Sequence, residues 1–71
     1  MIGQIWKNHE DEQTYLILSH CEEQETSQSD PDLVLHCQWH YKSFCLEKSR
    51  TILFTLDIPI EDDPDYWQRL A

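Results

Sequence analysis

From Leu33 to Ile58 the chain reads LVLHCQWHYKSFCLEKSRTILFTLDI, and this stretch decides the fold class. Its apolar residues recur at every second position. Leu33, Leu35, Cys37, Trp39 and Tyr41 fall on one face of an extended chain, and Val34, His36, Gln38, His40 and Lys42 on the other. After a polar break at Glu47-Lys48-Ser49, the alternation resumes through Ile52, Phe54, Leu56 and Ile58. A period of two over successive runs predicts paired, half-buried strands. Leu35, Trp39, Ile52, Phe54 and Leu56 are the expected core contributions of the pair.

Working outward, Gly3 to Asn8 reads as a first strand or extended arm anchored by Trp6. His9 to Glu12 is a polar turn. Thr14 to Cys21 is apolar on both faces at Tyr15, Leu16, Ile17 and Leu18, the mark of a strand with neighbours on both sides. Glu22 to Asp32 (EEQETSQSDPD) is acidic, lacks large apolar residues and predicts a loop. Phe44 to Leu46 either continues the strand before it past a bend at Tyr41-Lys42-Ser43 or forms a short one. Arg50 to Ile58 is the last long strand, ended by Pro59.

Residues 63 to 70 then carry a helix-start pattern. Asp63 can cap, Pro64 suits the first helical position, and Asp65 favours the positive end of the dipole. Two turns need tertiary contacts to persist, and Trp67 and Leu70 would provide them by docking on the open end of the sheet near Trp6 and Tyr15, or on a neighbouring subunit. The expectation is a single mainly β domain over residues 1–71: a small antiparallel sheet or half-barrel of four to five strands with a short C-terminal helix.

At 71 residues the core is necessarily small. Three Trp, three Tyr and two Phe supply large buried areas, and association into an oligomer is the expected supplement. The net charge of −9, from 14 acidic and five basic residues, excludes binding to a phosphate backbone or an anionic membrane. It points instead to a basic partner. Three cysteines without a repeated spacing do not make a disulfide framework, and no leader-like or membrane-spanning segment is read; a cytoplasmic location is the expectation.

Gly3-Gln4-Ile5-Trp6 followed by Tyr15-Leu16-Ile17-Leu18 resembles the opening of small SH3-like barrels of bacterial and phage proteins. There an aromatic-bearing first strand leads through a polar hairpin into an apolar second strand. The resemblance implies a binding module closed by a short C-terminal helix. Tight barrel turns usually exploit glycine, whereas Gly3 is the only glycine here.

His20, Cys21, His36, Cys37, His40 and Cys45 have the right atoms for zinc, but His36 and His40 on one strand stand ~13 Å apart at ~3.3 Å per residue. Cys37 points the other way, so no metal site and no cofactor are expected. No thiol precedes a helix start or sits among positive charges, and there is no glycine-rich phosphate loop; the expectation is a non-enzyme. The acidic clusters remain. Glu22, Glu23 and Glu25, then Asp62, Asp63 and Asp65 with Tyr66 and Trp67, form the expected partner-binding surface. Carboxylates can occupy Arg and Lys forks built for phosphate, and in size and charge alone the chain resembles small acidic inhibitors carried by phages, which work in this way. This implies a module that competes for a basic, nucleic-acid-binding surface of another protein. The alternative is an oligomeric small-ligand or metal binder, drawn from the surplus of His and aromatic residues.

Overall fold

A computed structural model describes residues 2–71. Five strands, β1 (Ile5–Asn8), β2 (Thr14–Thr26), β3 (Val34–Cys45), β4 (Arg50–Leu56) and β5 (Trp67–Arg69), form one open antiparallel sheet. Its order is β4-β3-β2-β1-β5. Among the described residues no helix is long and apolar enough to cross a membrane.

The two alternating runs pair as the period of two requires. Trp39 lies opposite Leu56, Tyr41 opposite Phe54 and Ser43 opposite Ile52. β3 runs unbroken through Tyr41-Lys42-Ser43 to Cys45, and a four-residue turn at 46–49 leads into β4. β2 is flanked by β1 and β3, which explains why Tyr15 to Ile17 is apolar on both faces. A bulge at Leu18 shifts the register between Ile17 and Ser19. It therefore moves His20, Glu22 and Gln24, instead of Ser19 and Cys21, onto the face of Tyr15 and Ile17.

The turns form with almost no glycine. Asn8 Oδ1 accepts from the backbone N–H of Glu10 (2.8 Å) and Asp11 (3.1 Å), and Asp11 Oδ1 accepts from Gln13 N–H (2.9 Å). These side chains imitate backbone turns. Glu12 (φ 62°) and Ser49 (φ 51°) take the left-handed conformations that glycine would otherwise supply.

The sheet is strongly curved. A flat five-stranded sheet would hold its edge strands ~19 Å apart, at ~4.8 Å per step. Yet Phe54 on β4 and Trp67 on β5 stack with centroids 5.2 Å apart and planes at 16°. Tyr15 meets both rings edge-on at 5.7 and 5.6 Å, and Tyr41 stacks on Phe54 at 5.1 Å. The concave face thus holds an aromatic core with Trp6, Ile17, Cys45 and Ile60, against which Trp39, Ile52, Phe54 and Leu56 pack half-buried. Ile60 is fully buried, and its N–H donates to the Tyr41 hydroxyl at 2.9 Å.

Three expectations are corrected. The C-terminal helix over 63–70 is replaced by a single 3-10 turn at Ile60–Asp62 and by β5. β5 pairs with β1, setting Trp67 opposite Asn8 and Arg69 opposite Trp6. Two helical turns are marginal alone, whereas three extended residues complete a backbone ladder and bury Trp67. The acidic stretch from Glu22 to Asp32 is a loop only from Ser27 onward, because Glu22 to Thr26 belong to β2 and pair with Val34 to Trp39. Leu35 is 59% exposed, since it lies on the two-stranded extension of β2 and β3 beyond β1 and β4.

Two stability measurements follow from this core. Trp67→Ala should cost about 3–5 kcal/mol, close to the whole stability of so small a domain, whereas Leu35→Ala should stay within about 0.5 kcal/mol. Urea unfolding of both variants checks the contrast, and equal effects would contradict it. Ser49→Gly should relieve left-handed strain and raise stability by ~0.5–1 kcal/mol; a lower melting temperature would show that the turn is unstrained.

Candidate functional site

The extension of β2 and β3 forms a projecting hairpin arm, and the molecule reaches 45 Å along its longest axis. From Leu18 to Tyr41 the sequence has no Lys or Arg, yet it carries Glu22, Glu23, Glu25, Asp30 and Asp32. The tip is a compact turn. Ser27 N–H donates to Leu33 O at 3.0 Å and Leu33 N–H to Asp30 O at 3.0 Å. Leu33, Val34 and Leu35 are exposed beside it.

Strand alternation sends the arm's carboxylates to both faces. Glu22 shares the face of Trp39, its cross-strand partner. There it accepts from the Cys37 thiol at 3.1 Å and from Gln24 Nε2 at 3.0 Å. The Cys37 bond, then the Gln24 bond, hold the Glu22 carboxyl below its usual range, and the same contact with Glu22 pushes the Cys37 thiol up. Glu23 is on the opposite face, where Oε2 lies 3.1 Å from His40 Nε2; the other His40 nitrogen meets Thr55 Oγ1 at 3.0 Å. Glu25 stands exposed opposite His36, whose ring lies 3.7 Å from Asp57.

The second expected cluster belongs to a different element, the crossover from β4 to β5. Asp62 and Asp65 are exposed and Asp63 is half-buried. The Asp63 carbonyl accepts from the N–H groups of Tyr66 (3.2 Å) and Trp67 (3.0 Å), so this residue shapes the entry to β5. Tyr66 is 50% exposed and is the one aromatic of this cluster that a partner can reach. Trp67 is 6% exposed with its ring in the core stack, so it serves the fold.

Other acidic groups are engaged within the chain. Lys7 pairs with Glu12 at 3.4 Å, and the Tyr15 hydroxyl donates to Asp11. Burial first, and Asp11 second, push the Tyr15 phenol well above its ordinary range. Both Glu47 carboxylate oxygens accept from Thr14 N–H, at 2.6 and 2.8 Å, which holds that carboxyl low. Glu47 thereby ties the β3–β4 turn to the start of β2, a role its place in a polar break did not reveal.

The histidines and cysteines do not converge. His20 lies opposite Tyr41, Cys21 opposite His40, and Cys45 is buried with its thiol on Gln13 Oε1 at 3.0 Å. Among the described residues no three His, Cys, Asp or Glu are placed to hold one metal ion. An open cleft of about 370 Å³ lies where residues 19–21, 40–42 and 53–55 run side by side on β2, β3 and β4. No local pattern marks it, because it depends on the bulge at Leu18 and on the pairing register.

The Glu22 contacts generate a pH prediction. A carboxyl held low in the folded state stabilises it above the unfolded value near 4.5. That contribution is lost as pH falls through the lower folded value. An NMR titration should show Glu22 ionising below 4.5 in the native chain and shifting upward in Cys37→Ala; identical titrations would remove the thiol as the cause. Comparison of the chain with family models, with curated proteins and with solved structures gave no match.

Proposed function

We propose that this protein is a non-catalytic acidic binding module that presents carboxylates to a basic, nucleic-acid-binding surface of another protein, in the manner of a phage-type inhibitor. The observation that carries the reading is the arm: a projecting hairpin whose Glu22, Glu23 and Glu25 are all exposed, with no Lys or Arg from Leu18 to Tyr41. Carboxylates on both faces, spaced by the strand repeat, suit Arg and Lys side chains that otherwise grip phosphates. The net charge of −9 steers such a partner toward contact. Asp62 and Asp65, with Tyr66 as an exposed aromatic anchor, offer a second contact on the crossover. The strong curvature of the sheet suits an SH3-like half-barrel, a scaffold that mostly serves binding. A host cytoplasm is the setting this reading assigns.

The cleft on β2, β3 and β4 supports a second reading, a small-ligand binder. Native mass spectrometry separates the two, since a retained small molecule favours the cleft.

The main reading is tested by affinity capture from a bacterial lysate at low salt. The native chain should recover basic nucleic-acid-binding proteins, release them as salt rises from about 0.05 to 0.5 M, and lose them to added duplex DNA. Glu22→Lys, Glu23→Lys and Glu25→Lys combined should keep the fold and weaken capture at least about tenfold, through lost and reversed charge pairs. Capture indifferent to salt and to the triple change would move binding away from the arm.

A further inference from the structure

β4 is an edge strand, and its outward backbone groups have no partner among the described residues. The backbone of the crossover that follows it, from Asp57 to Tyr66, bonds within itself, to His9, to Trp67 and to the Tyr41 hydroxyl, and among the described residues to none of β4. The edge reads RTILFTL: seven residues, rich in β-branched and aromatic side chains, without Pro or an acid. Natural edges are usually shortened, bulged or charged against pairing, and this one carries a single charge, Arg50, at its start. Leu53, at its centre, is 74% exposed, more than any other large apolar residue described. Ile52, Phe54 and Leu56 on the concave face are only half-buried. The other free edges differ. β5 is three residues long, β2 beyond Ile17 carries Glu22, Glu23 and Glu25, and β3 before Trp39 belongs to the same acidic arm, so the arm's edges would bring like charges together in a second copy.

We infer that this edge pairs antiparallel with the same edge of a second copy, about a two-fold axis at Leu53. The register that follows is self-complementary. Leu53 faces Leu53, Thr51 faces Thr55, and Ile52 faces Phe54, so both faces gain favourable cross-strand neighbours. The charges agree with this arrangement. Lys48 precedes the strand, Arg50 opens it and Asp57 follows it. Antiparallel pairing brings the basic end of each copy beside the acidic end of the other. Among the described residues, neither Lys48 nor Arg50 has an ion pair within its own chain. The surface is separate from the arm, so this association neither requires nor blocks a basic partner there.

Sedimentation equilibrium of the full chain tests the inference. The native protein should dimerise with rising concentration. Leu53→Lys, which changes an exposed side chain and sets two ammonium groups face to face, should raise the dissociation constant at least about tenfold and leave the circular-dichroism melt of the monomer unchanged. Oxidised Leu53→Cys should form an intermolecular disulfide at position 53, because directly opposed residues lie ~4.5–5.5 Å apart, within disulfide reach. Thr51→Cys, whose copies would stand about four residues out of register, should form none with itself. Peptide mass spectrometry distinguishes these links from any through Cys21. A chain that stays monomeric to about 1 mM, an unchanged dissociation constant in Leu53→Lys, or a link at position 51 in place of 53 would overturn the proposal.

Discussion

The stacking of Phe54 on Trp67 is the constraint on which the rest of the structure depends. These rings come from the two edge strands of a five-stranded sheet, and their centroids are 5.2 Å apart. A flat sheet of this size has one face to cover and little to cover it with, since the described residues hold no helix beyond a single 3-10 turn. Curling the sheet lets each edge bury the other. Tyr15 and Tyr41 then fill the floor between them, and Ile60 closes the opening with its N–H on the Tyr41 hydroxyl. Burial of both phenols pushes their ionisation upward, Tyr15 more strongly because Asp11 adds to it. A domain with so few fully buried side chains therefore rests on aromatic rings that each touch several others, which is how a 71-residue chain makes a core.

Much of the sheet was legible because period-two alternation is a direct trace of strand geometry. It identified the pairing of β3 with β4 and the central place of β2. It failed where backbone pairing outweighs side-chain character. Glu22 to Thr26 look like loop residues, but they extend β2 because β3 offers an antiparallel ladder and solvent accepts their carboxylates on both faces. Leu35 looks like core and is exposed for the complementary reason: the alternation continues past the point where any third strand covers it. At the C-terminus the local signals of Asp63, Pro64 and Asp65 favoured a helix, and the free edge of β1 overrode them. The bulge at Leu18 has no signature in the sequence, and it decides which side chains of the arm share a face.

The candidate site divides in the same way. Composition alone marked the arm as acidic, and the fold adds that Glu22, Glu23 and Glu25 project on a hairpin instead of trailing in a loop. It also separates them from Asp62 and Asp65 and withdraws Trp67 into the core, leaving Tyr66 as the accessible aromatic. Like-charged groups along the arm repel one another, yet two of them are tied down. Glu22 is held by Cys37 and Gln24, and Glu23 by His40. The arm thus presents partly fixed carboxylates, which lowers the ordering cost of meeting fixed Arg or Lys side chains.

The curvature of the sheet can be measured directly. In a nuclear Overhauser spectrum of the native chain, ring protons of Phe54 should show strong cross-peaks to indole protons of Trp67, alongside those of each ring to Tyr15. Cross-peaks from both rings to Tyr15 with none between Phe54 and Trp67 would contradict the stack and leave the two edges of the sheet apart.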